Sequence, residues 1–255
     1  MARSSNSMRQ THQRGIAIGP ILYIVAILAV LVSAIAAGSG SFNGDTSAVK
    51  AKAQASAILE YANEVKLGVD RVLGKGCTDT EISFENPIVS GYVNPNAPSD
   101  KSCHVFDVNG GGIVWKNPDD NIYSAIKTGY TNGYWIYHGN SCVGGVGSAS
   151  SGYQGGPSAG CRSDSSPASL VMVTHDIKPS VCNALNTMLG VDILSSGNNY
   201  SSGIWGSLNL YFHGSYTKDN ESGYDAKATI GKMMGCGQAH NASGYTYFRS
   251  VLVPR

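Results

Sequence analysis

The chain has 255 residues, enough for one large domain or two ordinary ones with a sizeable buried core. Charged residues make up only 14% of it and glycine supplies 32 positions, against roughly 25% charged and about half as much glycine in ordinary soluble domains. A formal net charge of +1 lacks the basic excess of a nucleic-acid binder, and the composition excludes a coiled coil and a disordered, highly charged chain. The charge is unevenly placed. Residues 1–15 hold Arg3, Arg9 and Arg14 and no acid, so a small basic head precedes a faintly acidic remainder.

From Ile16 to Ala37 the chain carries no charge for 22 residues, which as a helix would span about 33 Å and match a bilayer core. A cleaved signal peptide is the alternative reading, with Ser33–Ala37 as its small-residue site, but the apolar run is longer than such peptides need. As an anchor, the segment would leave the basic end cytoplasmic and the following residues outside. Ala29, Ser33 and Ala37 form a small-xxx-small line suited to helix–helix contact, although ordinary lipid-facing composition would look the same.

Residues 38–44 (Gly-Ser-Gly-Ser-Phe-Asn-Gly) read as a flexible break. Residues 45–74 then read as a helix capped by Asp45 or Thr46 and ended by Gly74 and Gly76. Ala51, Ala55, Ile58, Ala62, Val65, Val69 and Val72 recur at spacings of four and three and make one narrow apolar stripe. The small residues of its N-terminal half (Ala51, Ala55, Ile58, Ala62) suit close approach of another helix, and the bulkier half suits packing on the chain's own domain. Burial of the whole stripe on its own domain is the alternative.

Residues 75–255 read as one antiparallel β-rich body, giving an α+β fold overall. Candidate strands are His104–Val108, Gly112–Trp115, Tyr134–Tyr137, Leu170–Thr174, Leu208–His213 and Tyr245–Val253, with Asn109-Gly110-Gly111 as a hairpin turn between the first two. A short helix starts at Lys178-Pro179-Ser180, turns Val181, Leu185 and Met188 inward, and closes at Gly190. Residues 143–160 form a Gly/Ser-rich loop. All six cysteines (Cys77, Cys103, Cys142, Cys161, Cys182 and Cys236) follow the apolar run without a C-x-x-C pair, so disulfides in an oxidising compartment are expected and a zinc site is not. Sequence order suggests 77–103, 142–161 and 182–236, one of 15 possible sets.

Catalytic signatures are absent. No G-x-S-x-G elbow, Walker loop or H-E-x-x-H occurs, and His104, His138, His175, His213 and His240 stand singly. His175-Asp176 is badly placed as part of a triad, since neighbours on a strand point to opposite faces. The acidic turns at Asp107–Asn109, Asp119-Asp120 and Asp219–Glu221 offer oxygens for Ca²⁺ but read first as solvated turns. Asn199, Asn220 and Asn241 head N-x-S sequons. Of the 14 tyrosines, those in loops, such as Tyr153, Tyr200, Tyr211, Tyr216 and Tyr224, suit contacts with like subunits or glycans, whereas Tyr134 and Trp135 read as core. Leu252–Arg255 matches the stub left by a common tag-cleaving protease, while Tyr245–Val253 reads as a terminal strand.

A basic leader ending in Gly, an apolar helix, a second striped helix and a cysteine-bearing antiparallel body together resemble type IV pilins and pseudopilins. The resemblance rests on motif for about the first 75 residues and on general architecture beyond. It implies processing between Gly15 and Ile16, with assembly of the Ile16–Ala37 helix into a filament core with copies of itself or related pilins. It also implies residence in the inner membrane before assembly and at the cell surface after it, with no cofactor. Pilins usually carry Glu five residues after the cut, where this chain has Pro20; assembly through that charge pair is therefore in doubt, and the segment is a better permanent anchor. The alternative is an anchored extracytoplasmic adhesin or a glycan- or protein-binding module that never polymerises.

Overall fold

The computed structural model describes residues 46–124, 134–147, 168–192, 200–201, 211–216, 229–239 and 246–255. The chain divides into two units, Met1–Thr46 and Ser47–Arg255; the first, including Gly15, Ile16, Ala29, Ser33 and Ala37, lies almost wholly outside the described residues.

In the second unit, α1 (Thr46–Gly74) is followed by a long irregular segment with a 3₁₀ turn at Asp120–Ile122. Next come β1 (Ile136–Ser141), β2 (Ser169–His175), α2 (Pro179–Leu189), β3 (Tyr200–Ser201), β4 (Met234–Ala239) and β5 (Thr246–Val253). Four strands form an antiparallel sheet in the order β1-β2-β5-β4, and the two-residue β3 joins β4 in parallel at the far edge. The α+β reading therefore holds for this unit.

Helix α1 buries all seven predicted stripe residues, with Tyr61 and Gly68 added. The stripe is inside the chain's own core along its whole length: Ala51, Ala55, Ile58 and Ala62 are at most 5% exposed. This corrects the expectation that the N-terminal half receives another helix, because the domain itself already covers it. Residues 103–113 lie so close to α1 that a Cβ on Gly68 would stand 2.4 Å from Ile113 Cγ1. Gly68 is there because the helix and loop meet at van der Waals contact and leave no room for a side chain. At the helix end, Arg71 donates to Gly111 O at 3.0 Å, and the Lys75 ammonium donates to Asn109 O at 2.7 Å and Gly110 O at 2.8 Å. The basic residues thus supply partners for carbonyls that no ladder satisfies.

Strand β2 alternates cleanly. Leu170 and Met172 join Phe248 and Leu252 of β5, Tyr137 of β1 and the buried face of α1 in one apolar layer; Val171 and Val173 join Val251, Val143 and Val146 on the opposite face. The sheet is buried on both sides, as its nearly continuous apolar strands require. Phe84 lies flat on Tyr137, with ring centroids 4.3 Å apart and planes 6° from parallel, and Tyr61 meets Trp135 at 5.5 Å. These rings fill the space between α1 and the sheet. Residues 211–216 cover part of the outer edge of β1, where Phe212 N–H donates to Tyr137 O and so takes up one carbonyl of an otherwise open strand.

Several predicted elements differ. Residues 104–108 and 112–115 are turns and irregular chain rather than strands, tied by Gly111 N–H to His104 O and Ile113 N–H to Val105 O. The reversal around Asn109–Gly111 therefore exists without a hairpin ladder. The predicted strand over 134–137 begins two residues later and runs to Ser141, and the described part of 208–213 forms no strand. Strand β4 is absent from the sequence reading, because Met234-Gly235-Cys236-Gly237 carries two glycines and reads as weak strand; Gly237 is needed because a Cβ there would stand 2.5 Å from the Tyr247 hydroxyl. In α2, Pro179 sits at the start and Gly190 ends the helix in the left-handed conformation (φ 62°), as read. Met188 is exposed, and Cys182 and Asn186 complete the inner face beside Val181 and Leu185. Leu252 is buried and Val253 pairs with Leu170, so the chain through Val253 is part of the sheet.

Two disulfides fall as sequence order suggests. Cys77–Cys103 ties the end of α1 to the irregular segment, and Cys182–Cys236 ties α2 to β4. Cys142 is also disulfide-bonded; Cys161, its expected partner, lies outside the described residues.

Three outcomes follow in unfolding experiments. Gly68→Val should cost about 1–3 kcal/mol by overpacking, whereas Gly74→Ala, with nothing within 4 Å, should stay within about 0.5 kcal/mol; urea titration of the two variants checks this. Removing Cys182–Cys236, which spans 54 residues, should cost about 4 kcal/mol, and removing Cys77–Cys103, which spans 26, about 3.5 kcal/mol, on loop-entropy grounds; paired Cys→Ser variants give the order. His138, 1% exposed with no partner at Nδ1 among the described residues, is pushed by burial from 6.5 down to about 4. The unfolded chain therefore takes up this proton first, and stability present above pH 6.5 is lost as pH falls toward 4, by roughly 3 kcal/mol. Urea midpoints between these pH values should fall steeply in the native chain and less so in His138→Leu.

Candidate functional site

The N-terminal half of α1 and residues 116–122 enclose a cleft of about 460 Å³ within the second unit. Its helix wall is Lys50, Ala53, Gln54, Ala57, Ile58 and Tyr61; its opposite wall is Lys116, Asn117, Pro118, Asp119 and Ile122, with Trp135 completing the lining. The helix wall follows from the residue pattern. Ala53 and Ala57 lie one turn apart beside the buried stripe, and their small side chains leave space where Leu or Lys would fill it.

The opposite wall is held by local hydrogen bonds. The Asp119 carboxylate accepts from Asn121 N–H at 2.8 Å and from the Asn121 side-chain amide at 2.9 Å, which starts the 3₁₀ turn and keeps Asp119 below the usual carboxylate range. Lys50 and Lys178 lower it further. Lys116 bridges the walls: its N–H donates to Tyr61 Oη at 3.2 Å, its ammonium pairs with Glu64 at 2.8 Å, and the same ammonium lies 5.7 Å from the Tyr61 ring centroid. Burial pushes the Tyr61 phenol up, so it stays neutral and its oxygen can accept from Lys116.

Two polar atoms of lining residues are buried without a hydrogen-bond partner among the described residues, Trp135 Nε1 and Gln54 Nε2. Trp135 is 2% exposed, so its indole N–H has left water for no acceptor, at a cost of about 1–3 kcal/mol. Buried donors of this kind are rare in folded proteins. The cleft itself is walled mainly by apolar groups, with Lys50 and Lys116 at its rim and Asp119 opposite Lys50.

Of the residues singled out from sequence, Ile58, Asp119 and Trp135 border the cleft, and the other described ones fall elsewhere. Ala51, Ala55, Ile58 and Ala62 are core, and only Ile58 also borders the cleft. His175 ends β2; Asp176 follows with φ 57° and lends its carbonyl to Ser124 N–H at 2.7 Å. The Asp107 carboxylate accepts from Asn109 N–H at 2.9 Å, as turn residues do. Among the described residues no three His, Cys, Asp or Glu side chains converge as a metal site requires, and no helix is long and apolar enough to cross a membrane. His240, Asp219–Glu221 and the sequon residues lie outside the described residues. Of the loop tyrosines, Tyr211 packs on Tyr92 with centroids 4.5 Å apart, and Tyr216 lies between Phe212 and the Arg255 guanidinium; both are used within the domain. Trp135 and Tyr137 are core, as read for Trp135. Gln54 and Lys116 escape sequence reasoning because each reads alone as an ordinary surface residue, and Asp119, read from sequence as a solvated acidic turn, instead borders the cleft.

Comparison of the chain with protein-family models, with curated proteins and with solved structures finds no match in any of the three.

Proposed function

We propose that the chain is a pilin-like structural subunit. Its leader is removed after Gly15, its Ile16–Ala37 segment serves as membrane anchor and then filament-core helix, and the α1-based unit is the displayed head. The observation that carries this reading is the burial of the α1 stripe along its full length. Helix α1 begins within ten residues of the apolar run in sequence and cannot leave the head without exposing that stripe, so an N-terminal anchor would hold the head firmly. The disulfides of the described head suit an extracytoplasmic setting. Since Ala51, Ala55, Ile58 and Ala62 are consumed inside the head, contacts between subunits fall to the Ile16–Ala37 run, including Ala29, Ser33 and Ala37, and to the outer surface.

A second reading, an anchored binding module that stays monomeric, is favoured by the cleft. The two separate on one preparation from the native host. The subunit reading expects a mature protein beginning at Ile16 by mass spectrometry, high-molecular-weight filaments that pellet, and retention of the leader with loss of filaments in Gly15→Leu. Retention of Met1–Arg14 in the native chain, without filaments, would sink it.

A further inference from the structure

We propose that Asn186 of α2 closes the edge of β4 against strand pairing with a second copy of the chain. The closure belongs to the second unit and holds for a polymerising subunit and a monomeric module alike.

An edge strand offers a row of backbone N–H and C=O groups to any extended chain, and natural edges are commonly blunted by charged side chains or proline. The outer strands β1 (Ile-Tyr-His-Gly-Asn-Ser) and β4 (Met-Gly-Cys-Gly-Gln-Ala) contain no Lys, Arg, Asp, Glu or Pro. Each is instead closed at a central residue by groups that do not belong to a strand. On β1, Tyr137 N–H donates to the Tyr92 hydroxyl oxygen at 3.1 Å, and Tyr137 O accepts from Phe212 N–H at 2.9 Å. On β4 one side chain supplies both partners: Cys236 N–H donates to Asn186 Oδ1 at 2.8 Å, and Cys236 O accepts from Asn186 Nδ2 at 3.0 Å. A side-chain amide carries one C=O and an N–H donor side by side, the same pair that a peptide of a neighbouring strand would present.

The fork is fixed in place. Asn186 is fully buried, and its Nδ2 also donates to Asp192 O at 2.8 Å. Cys182, one turn earlier on α2, is bonded to the Cys236 side chain, so α2 grips a single β4 residue through both its backbone and its sulfur. Among the described residues β3 pairs only with Gln238 and Ala239 of β4, which leaves Cys236 to Asn186. The occupant kept out is β4 of a second copy. Two identical edges meet about a two-fold axis as an antiparallel pair, and an uncharged strand meeting its own copy has no like-charge repulsion to hold it off.

The full-length chain is compared with Asn186→Leu in the same detergent micelles, the native chain setting the baseline for association through its N-terminal run. Two quantities are read across a range of protein concentration: hydrogen exchange of residues 234–237 by mass spectrometry, and particle mass by light scattering. At low concentration Asn186→Leu should exchange the Cys236 amide roughly tenfold faster than the native chain, as loss of a buried hydrogen-bond partner implies. As concentration rises, its particle mass should climb above the native value while protection of residues 234–237 returns. Cys77→Ser/Cys103→Ser is the control for lost stability, since it loosens the unit without touching β4, and it should associate no more than the native chain. Should Asn186→Leu fail to fold, Asn186→Asp replaces it. Its carboxylate still accepts from Cys236 N–H but sets an oxygen against Cys236 O and Asp192 O, and the same direction is expected. A folded Asn186 variant with native exchange at Cys236, or with no more association than the native chain, overturns the proposal. Equal association by the Cys77→Ser/Cys103→Ser control overturns it as well, because instability alone would then account for the effect.

Discussion

The second unit depends on the contact line between α1 and the irregular chain that follows it. Residues 77–124 form almost no secondary structure beyond isolated bridges and one 3₁₀ turn, so they must find partners elsewhere for their backbone groups or lose them to burial. They find them along α1 and among their own side chains. Arg71 and Lys75 take the carbonyls of residues 109–111, Asn94 donates to Thr80 O and Ile82 O, and Ser83 exchanges backbone bonds with Cys103 and Val105. Cys77–Cys103 closes the arrangement covalently. Glycine at position 68 permits the close approach that makes these bonds geometrically possible.

The aromatic layer carries that contact line to the sheet. Phe84 and Phe106 come from the irregular segment, Tyr61 from α1, and Trp135 and Tyr137 from the start of β1; ring contacts among them, with Trp115, span the distance between helix and sheet. Large rings suit this role because each covers much area for few frozen torsions. The same construction leaves the cleft: where the small Ala53 and Ala57 replace bulk on α1, the layer ends and residues 116–122 stand off from the helix. Space at the edge of a packed core, open to solvent, is a different thing from a packing defect inside it.

For the functional reading, the consequence concerns which surfaces remain. An apolar helix stripe seen in sequence has two destinations, the chain's own core or a neighbour, and here the first has consumed it. The described tyrosines that look available in sequence, Tyr211 and Tyr216, are consumed likewise, by Tyr92, Phe212 and Arg255.

Features with a local period are legible in the chain alone. The stripe of α1 and the Pro179 start and Gly190 end of α2 belong to this class, because each depends on local spacing; the suggested pairing of Cys77 with Cys103 and Cys182 with Cys236 followed sequence order alone. The remainder came from packing between distant segments. Residues 104–115 have strand-like composition but turn, bonding within the segment at His104, Val105 and Asp107 O and giving the carbonyls of 109–111 to Arg71 and Lys75. β4 has glycines that oppose a strand, yet it pairs with β5 because Tyr247 needs the room over Gly237. The cleft joins positions 50–61, 116–122 and 135, each bland alone, and no short-range pattern can announce a site that exists only where three distant segments meet.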